Sequence, residues 1–139
     1  MEGRGKKSGA ALSVVGKLSA VERAEPPAEL NNAQADEWIS IVNRMPAEWF
    51  PRETHAILAQ YCKHVISSQT ISEMIETLLS LKNVPPLELM DPYDKLLKMQ
   101  EREGRAMSSL ATRMRITQQA TYSKDKQKGG NAHKKPWEE

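Results

Sequence analysis

The side chains of this 139-residue chain with the clearest chemical capacity are its clustered cations. Residues 28–97 carry ten acidic and five basic groups, whereas residues 98–119 carry five basic and two acidic groups. Residues 1–27 and 120–139 are also net basic. An acidic middle with basic ends is typical of a protein that holds a polyanion at its periphery. The candidate phosphate-contacting residues are Arg102, Arg105, Arg113, Arg115, Lys124, Lys126 and Lys128, with Arg4, Lys6 and Lys7 as auxiliaries. The alternative is an ordinary solvated surface.

Residue sets for catalysis or metal binding are not found in the sequence. The three histidines, His55, His64 and His133, are scattered and lack carboxylate or thiol companions. Neither a Gly-rich phosphate loop nor a Ser-His-Asp context is present. The single Cys62 lies on the apolar side of a predicted helix, where a free thiol behaves as a small hydrophobe. We therefore expect a non-enzymatic protein without metal or cofactor.

Two long segments carry the helical pattern. Residues 52–81 contain neither Gly nor Pro, and their apolar residues recur at three- and four-residue steps. Residues 89–116 repeat this spacing after a break at Val84-Pro85-Pro86. The sequence predicts an all-α antiparallel helical hairpin, continuous through the polar run 67–70 rather than restarting at Thr70. Asp91 is the predicted N-cap of the second long helix, with Pro92 as its first residue.

A shorter helix precedes the hairpin, and polar segments flank the whole. Asn31 or Asn32 can cap this helix, and Pro46 ends it. Trp38 is expected to anchor it against the hairpin, and Trp49 and Phe50 to plug the connector. The predicted organisation is a flexible arm over residues 1–27, a helical oligomerisation and DNA-recognition domain over residues 28–118, and a disordered basic tail over residues 119–139.

The composition also predicts self-association. Aromatic residues make up 5% of the chain, so few bulky side chains are available to cover a long apolar stripe. Exposed apolar strips usually mark an interface. The residues predicted to mediate oligomerisation are Ile57, Tyr61, Ile71, Ile75, Leu78, Leu96, Met107, Leu110 and Met114. Trp137, an aromatic in a polar tail, is a candidate docking residue for a partner protein.

Four short stretches resemble one protein family. Pro26-Pro27-Ala28-Glu29-Leu30 leads into the Trp-bearing helix Ala35-Asp36-Glu37-Trp38, and Ala56-Ile57-Leu58-Ala59-Gln60-Tyr61-Cys62 follows. The run from Leu110 to Ala120 then precedes the basic tail. Over residues 26–124 the chain resembles the small subunit of tailed-bacteriophage terminases. The family's usual closing motif, Leu-Gly-Leu-Thr-Pro, corresponds here to Met114-Arg115-Ile116-Thr117-Gln118.

The resemblance implies a specific role. Small terminase subunits form rings of helical hairpins, recognise the packaging start site on double-stranded viral DNA, and deliver it to the large subunit. They regulate the large subunit's ATPase and nuclease and catalyse neither. By this resemblance we expect a ring of about eight to twelve subunits in the cytoplasm of an infected bacterial host. The sequence has no run of 18 apolar residues and no N-terminal apolar signal core, so no membrane contact is expected. Two alternatives remain: a helical virion scaffold or adaptor, and a small dimeric DNA-binding regulator.

Overall fold

The computed structural model describes residues 22–118, and their regular elements are all helical. Helix α1 spans Asn32–Arg44, α2 spans His55–Leu79, and α3 spans Pro86–Arg113. A 3-10 turn, Arg52–Thr54, precedes α2. The predicted all-α class is confirmed for this part of the chain. Helix α1 packs on α2, and α2 packs along α3.

Both ends of α1 are fixed by side-chain hydrogen bonds. The Asn31 side chain accepts from the Gln34 backbone N–H at 2.9 Å, and the Gln34 side chain accepts from the Asn31 N–H at 3.1 Å. This capping box satisfies two otherwise free donors and selects Asn31 over Asn32 as the N-cap. At the other end the Arg23 guanidinium donates to the carbonyl oxygens of Val42 and Met45. Helix α1 is thereby tied to the chain segment that precedes it.

The hydrophobic core lies at the end of the molecule where α1 meets the two long helices. Trp38 is fully buried, its ring edge-on to His55 at 5.6 Å, and its Nε1–H donates to the Ala24 carbonyl at 2.9 Å. Trp49 Nε1–H donates to the Met114 carbonyl at 3.0 Å, beside buried Phe50. The anchoring role of Trp38 and the Trp49–Phe50 plug are confirmed. The buried cluster comprises Leu30, Trp38, Ile41, Val42, Phe50, Leu58, Ala59, Cys62 and Met114.

Helix α2 is continuous through the polar run. The Thr70 hydroxyl donates to the Ile66 carbonyl at 3.1 Å, and the Ser72 hydroxyl donates to the Ser68 carbonyl at 3.0 Å. When a hydroxyl donates to a carbonyl oxygen of the preceding turn, its hydrogen-bonding capacity is used without breaking the helix. The predicted continuity is confirmed, and a restart at Thr70 does not occur. The predicted start at Arg52 is three residues early, because residues 52–54 form the 3-10 turn.

The start predicted for the second long helix was wrong. Helix α3 begins at Pro86, with Pro85 at the N-cap, and Pro92 lies inside the helix instead of opening it. Pro86 is suited to the first helical position because its missing N–H would have no partner there. The earlier start lets half-buried Leu89 face α2. The free energy gained by burying that side chain offsets the cost of the backbone hydrogen bond that Pro92 cannot donate.

Two polar contacts join α2 and α3 away from the core. His64 Nδ1 lies 2.5 Å from Glu103 Oε2, and Gln100 Nε2 donates to Ser72 Oγ at 2.9 Å. Earlier residues of α2 pair with later residues of α3, so the two helices run in opposite directions. No residue of α3 itself is fully buried. The outer half of the pair therefore relies on partly buried contacts.

Helix α3 ends in a tight reversal at Arg115. The Arg115 N–H donates to the Thr112 carbonyl, and the Ile116 N–H donates to the Ala111 carbonyl, both at 3.1 Å. This is the Schellman pattern, in which the residue after the C-cap adopts a left-handed backbone. Arg115 has a φ of 56°, a region that glycine adopts without the steric cost of a Cβ.

Replacing Arg115 should therefore separate backbone strain from charge. We expect Arg115→Gly to raise the free energy of unfolding by about 1 kcal/mol, since it removes the Cβ from a left-handed position. Arg115→Ala is the matched control, because it removes the same charge and keeps a Cβ. Urea unfolding followed by circular dichroism measures both. Equal stabilities for the two variants would contradict the strained backbone at this position.

Candidate nucleic-acid interface

The exposed side of α3 carries a row of basic residues. At 100° per residue their spacing places them within an arc of about 80° on the helix, facing away from α2. All are exposed, and the row is about 27 Å long at 1.5 Å per residue. We call this set the basic row; it comprises Lys95, Lys98, Arg102, Arg105 and Arg113. A straight array of exposed cations can follow a phosphate backbone.

Two members of the basic row have acidic partners on the same helix. Lys98 Nζ lies 2.6 Å from Asp94 Oδ2, and Arg105 pairs with Glu101. All four side chains are at least 60% exposed, so these pairs contribute little and can yield to a phosphate. Among residues 22–118, Lys95, Arg102 and Arg113 form no ion pair. The row therefore has three uncompensated charges.

The other predicted phosphate contacts divide into two groups. Arg115 is exposed just beyond the end of α3, so it extends the basic surface at that end. The remaining candidates, together with the docking residue Trp137, lie outside the described residues; they are Arg4, Lys6, Lys7, Lys124, Lys126 and Lys128.

Sequence reasoning missed Lys95 and Lys98 as members of the row. When charges are counted by segment, Lys95 falls within the acidic stretch 28–97. Its seven-residue spacing from Arg102 nevertheless places both residues on the same side of a helix. The charge of the chain changes sign within α3, between residues 94 and 95. Residues 73–94 carry five acidic and one basic group, and residues 95–115 carry six basic and two acidic groups. The net charges of these stretches are −4 and +4.

The nine predicted oligomerisation residues are not among the exposed ones. Ile71 and Met114 are buried, and the other seven are half-buried. Their apolar surface is therefore used, wholly or in part, inside the protomer. A different set is exposed where α2 ends and α3 begins. We call it the apolar tip; its members and exposed fractions are Met74 50%, Leu79 58%, Leu81 47%, Leu87 82% and Met90 60%. Helical spacing could not separate the two sets.

Gly104 lies on the exposed side of α3, and packing among residues 22–118 does not require a glycine there. A Cβ built at this position would have no atom within 4 Å. Among residues 22–118 the space beside this glycine is therefore open.

The two perturbed titratable groups are neighbours on α2. Burial, and to a smaller extent the Glu37 carboxylate, raises the pKa of the Cys62 thiol to about 12. Burial, and then Glu37, also raises the pKa of the Tyr61 hydroxyl. A fully buried thiol that keeps its proton is a poor nucleophile. Cys62 is accordingly a structural residue, as the sequence indicated.

Residues 22–118 contain no group of three or more His, Cys, Asp or Glu side chains placed to hold a metal ion. None of the helices in that range combines the length and apolar character needed to cross a membrane. Comparison of the chain with models of protein families, with curated proteins and with solved structures found no match.

The environment of Cys62 predicts its reactivity. At pH 8 a maleimide should label native Cys62 far more slowly than the same thiol in denaturant, because the folded thiol is buried and protonated. The matched control is Ser67→Cys, which places an exposed thiol on the same helix and gives the labelling rate of an accessible cysteine. The folded pKa exceeds the ordinary value of 9.0, so this group stabilises the fold fully below about pH 9 and progressively less as pH rises towards 12. Native labelling of Cys62 as fast as that of the control would contradict this assignment.

Proposed function

We propose that this protein is a DNA-binding, self-assembling, non-enzymatic subunit of the small-terminase type. In this role it binds duplex viral DNA at the packaging start site and delivers it to the large terminase subunit, whose ATPase and nuclease it regulates. The observation that carries the proposal is the basic row on α3, with three uncompensated cations on a solvent-facing surface. The sequence resemblance over residues 26–124 gives the biological setting, the cytoplasm of an infected bacterial host.

The basic row suits contact with the phosphate backbone. Exposed cations can contact phosphate oxygens at a small desolvation cost. The counterions that DNA then releases favour binding. The row is interrupted by Ser109 and flanked by Ser108, so it also offers short hydroxyl donors to phosphates. Arg115 and the basic tail residues Lys124, Lys126 and Lys128 would continue the surface. Arg4, Lys6 and Lys7 would add to it from the arm.

Self-association is the second part of the proposal. The helical hairpin formed by α2 and α3 would be the repeating unit of a ring of about eight to twelve subunits. The apolar tip supports this part, since several large apolar side chains exposed at one end of a protein usually mark an interface. A ring repeats the basic row in every subunit, and such multivalency can raise affinity by factors of about 10² to 10⁴. Trp137 would dock the large subunit.

A charge-matched pair of variants tests DNA binding. Arg102→Ala/Arg113→Ala should weaken binding to a duplex and make the plot of log K against log salt less steep by about 2. Arg52→Ala/Lys82→Ala also removes two exposed charges, but neither residue belongs to the basic row. Fluorescence anisotropy over a salt series measures all forms. If both double variants weaken binding equally, the row has no special role; if wild type does not bind duplex DNA, the proposed function fails.

Light scattering with and without DNA tests assembly. Wild type should form one closed assembly at low and high salt, and duplex DNA should increase its mass at low salt. Leu87→Ser/Met90→Ser should reduce the number of subunits, because it places hydroxyls on the apolar tip. Ile39→Ser, at an exposed apolar residue of α1, should not change it. A DNA-binding dimer would favour the regulator, and a large assembly indifferent to DNA would favour the scaffold.

A further inference from the structure

A small cleft lies at the core end of the molecule, between the end of α1, the first half of α2 and the end of α3. Its volume is about 230 Å³. The lining residues are Ile41, Arg44, Met45, Tyr61, Ala111 and Ile116. Four of these are aliphatic or thioether side chains, and the arginine and tyrosine supply the polar part of the wall. Such a cleft suits a branched aliphatic side chain more than a charged ligand.

The described chain begins beside this cleft. The Arg23 guanidinium donates to the carbonyl oxygen of Met45, a lining residue, at 2.6 Å. The Ala24 carbonyl accepts from Trp38 at 2.9 Å. These two contacts fix residues 23 and 24 along α1, so the preceding residues start from a point close to the opening.

The sequence immediately upstream is the most apolar stretch of the N-terminal arm. Residues 10–21 read AALSVVGKLSAV, in which eight of twelve residues are apolar and Lys17 is the one charged residue. Val21 is two residues before Arg23 and Leu18 is five, so even Leu18 can lie no more than about 18 Å from the Arg23 backbone. A segment tethered at this range has a high effective concentration at the cleft.

We propose that residues 10–21 of the same chain occupy this cleft, with Leu18 and Val21 against Met45, Ala111 and Ile116. Apolar side chains gain by leaving water, and the cleft offers them a matching wall within reach of their tether. The arm is thus a fitted part of the domain and not an independent leader.

The docked arm also has a consequence for the basic surface. Ala111 and Ile116 flank the α3 end at Arg113 and Arg115, so an arm held here brings its basic start to that end of the row. Arg4, Lys6 and Lys7 would then join the row in one continuous cationic surface. This consequence rests on the proposed DNA-binding function; the docking itself does not.

Disulfide trapping in the full-length protein tests the docking. Cys62 can remain, because it is fully buried. With Leu18→Cys and Ile116→Cys combined, mild oxidation should give a cross-linked monomer in high yield. The matched control combines Leu18→Cys with Ile39→Cys, a 45% exposed residue of α1 that does not line the cleft and is within the same reach, because its neighbour Trp38 contacts Ala24. Equal yields from the two pairs, or no cross-link in either, would overturn the proposal. A cross-linked dimer would show that the arm docks on another copy and would overturn the same-chain assignment.

Limited proteolysis provides a second test that needs only one variant. Trypsin should cut after Lys17 several-fold more slowly than after Lys7, because docking shields the bond between Lys17 and Leu18. Leu18→Ser/Val21→Ser should abolish this protection. Equal cutting at both lysines in wild type would contradict the docking.

The same double variant separates this inference from the proposed function. It keeps every basic residue, yet DNA affinity should fall towards that of a form with Arg4, Lys6 and Lys7 changed to Ala. Unchanged affinity in Leu18→Ser/Val21→Ser would disprove the link between docking and DNA. If duplex DNA does not bind wild type at all, the proposed function fails, while trapping and proteolysis still report on the docked arm.

Discussion

The indole ring of Trp38 connects the parts of the chain that would otherwise be separate. It is fully buried in α1, packs edge-on against His55 at the start of α2, and donates its N–H to Ala24 in the preceding segment. A large aromatic ring contributes a substantial share of apolar burial in so small a core, and its one polar atom is satisfied. The arrangement of α1, the capping of its end by Arg23 and the cleft beside Met45 all depend on this position.

This concentration of the core at one end shapes the rest of the molecule. Beyond Val65, Ile71 is the one residue of α2 that is buried, and the outer half of the α2–α3 pair is held by half-buried side chains and the His64–Glu103 and Gln100–Ser72 contacts. A domain of this size has little stability to spare. The exposed apolar tip is the end at which a neighbouring subunit would add the most burial, so the fold and the proposed assembly have a common cause.

The parts of this structure that were predictable from sequence are those set by local chemistry. An asparagine cap at residue 31 or 32, the burial of Trp38 and Cys62, and the continuity of α2 follow from capping, composition and periodicity. The start of α3 did not, because the local pattern of Asp91-Pro92 favours a later start, whereas the half-burial of Leu89 depends on tertiary packing that a local pattern does not show. The left-handed backbone at Arg115 was hidden because an arginine gives no signal for it. Helical spacing identified apolar residues such as Ile71 and Met114 but could not say whether they face the same chain or another.

The charge pattern of α3 has two causes that can be separated by position. Acidic groups near a helix N-terminus and basic groups near its C-terminus are stabilised by the helix dipole, which accounts for Glu88 in the first turn and Arg113 in the last. The dipole effect falls off within one turn, so it does not reach Lys95 or Arg102 in the middle of the helix. Neither has an acidic partner in the described part of the chain, and both are exposed. Helix stability leaves the positions of these two cations unexplained, and for this reason they carry most weight in the proposal that the basic row contacts a phosphate backbone.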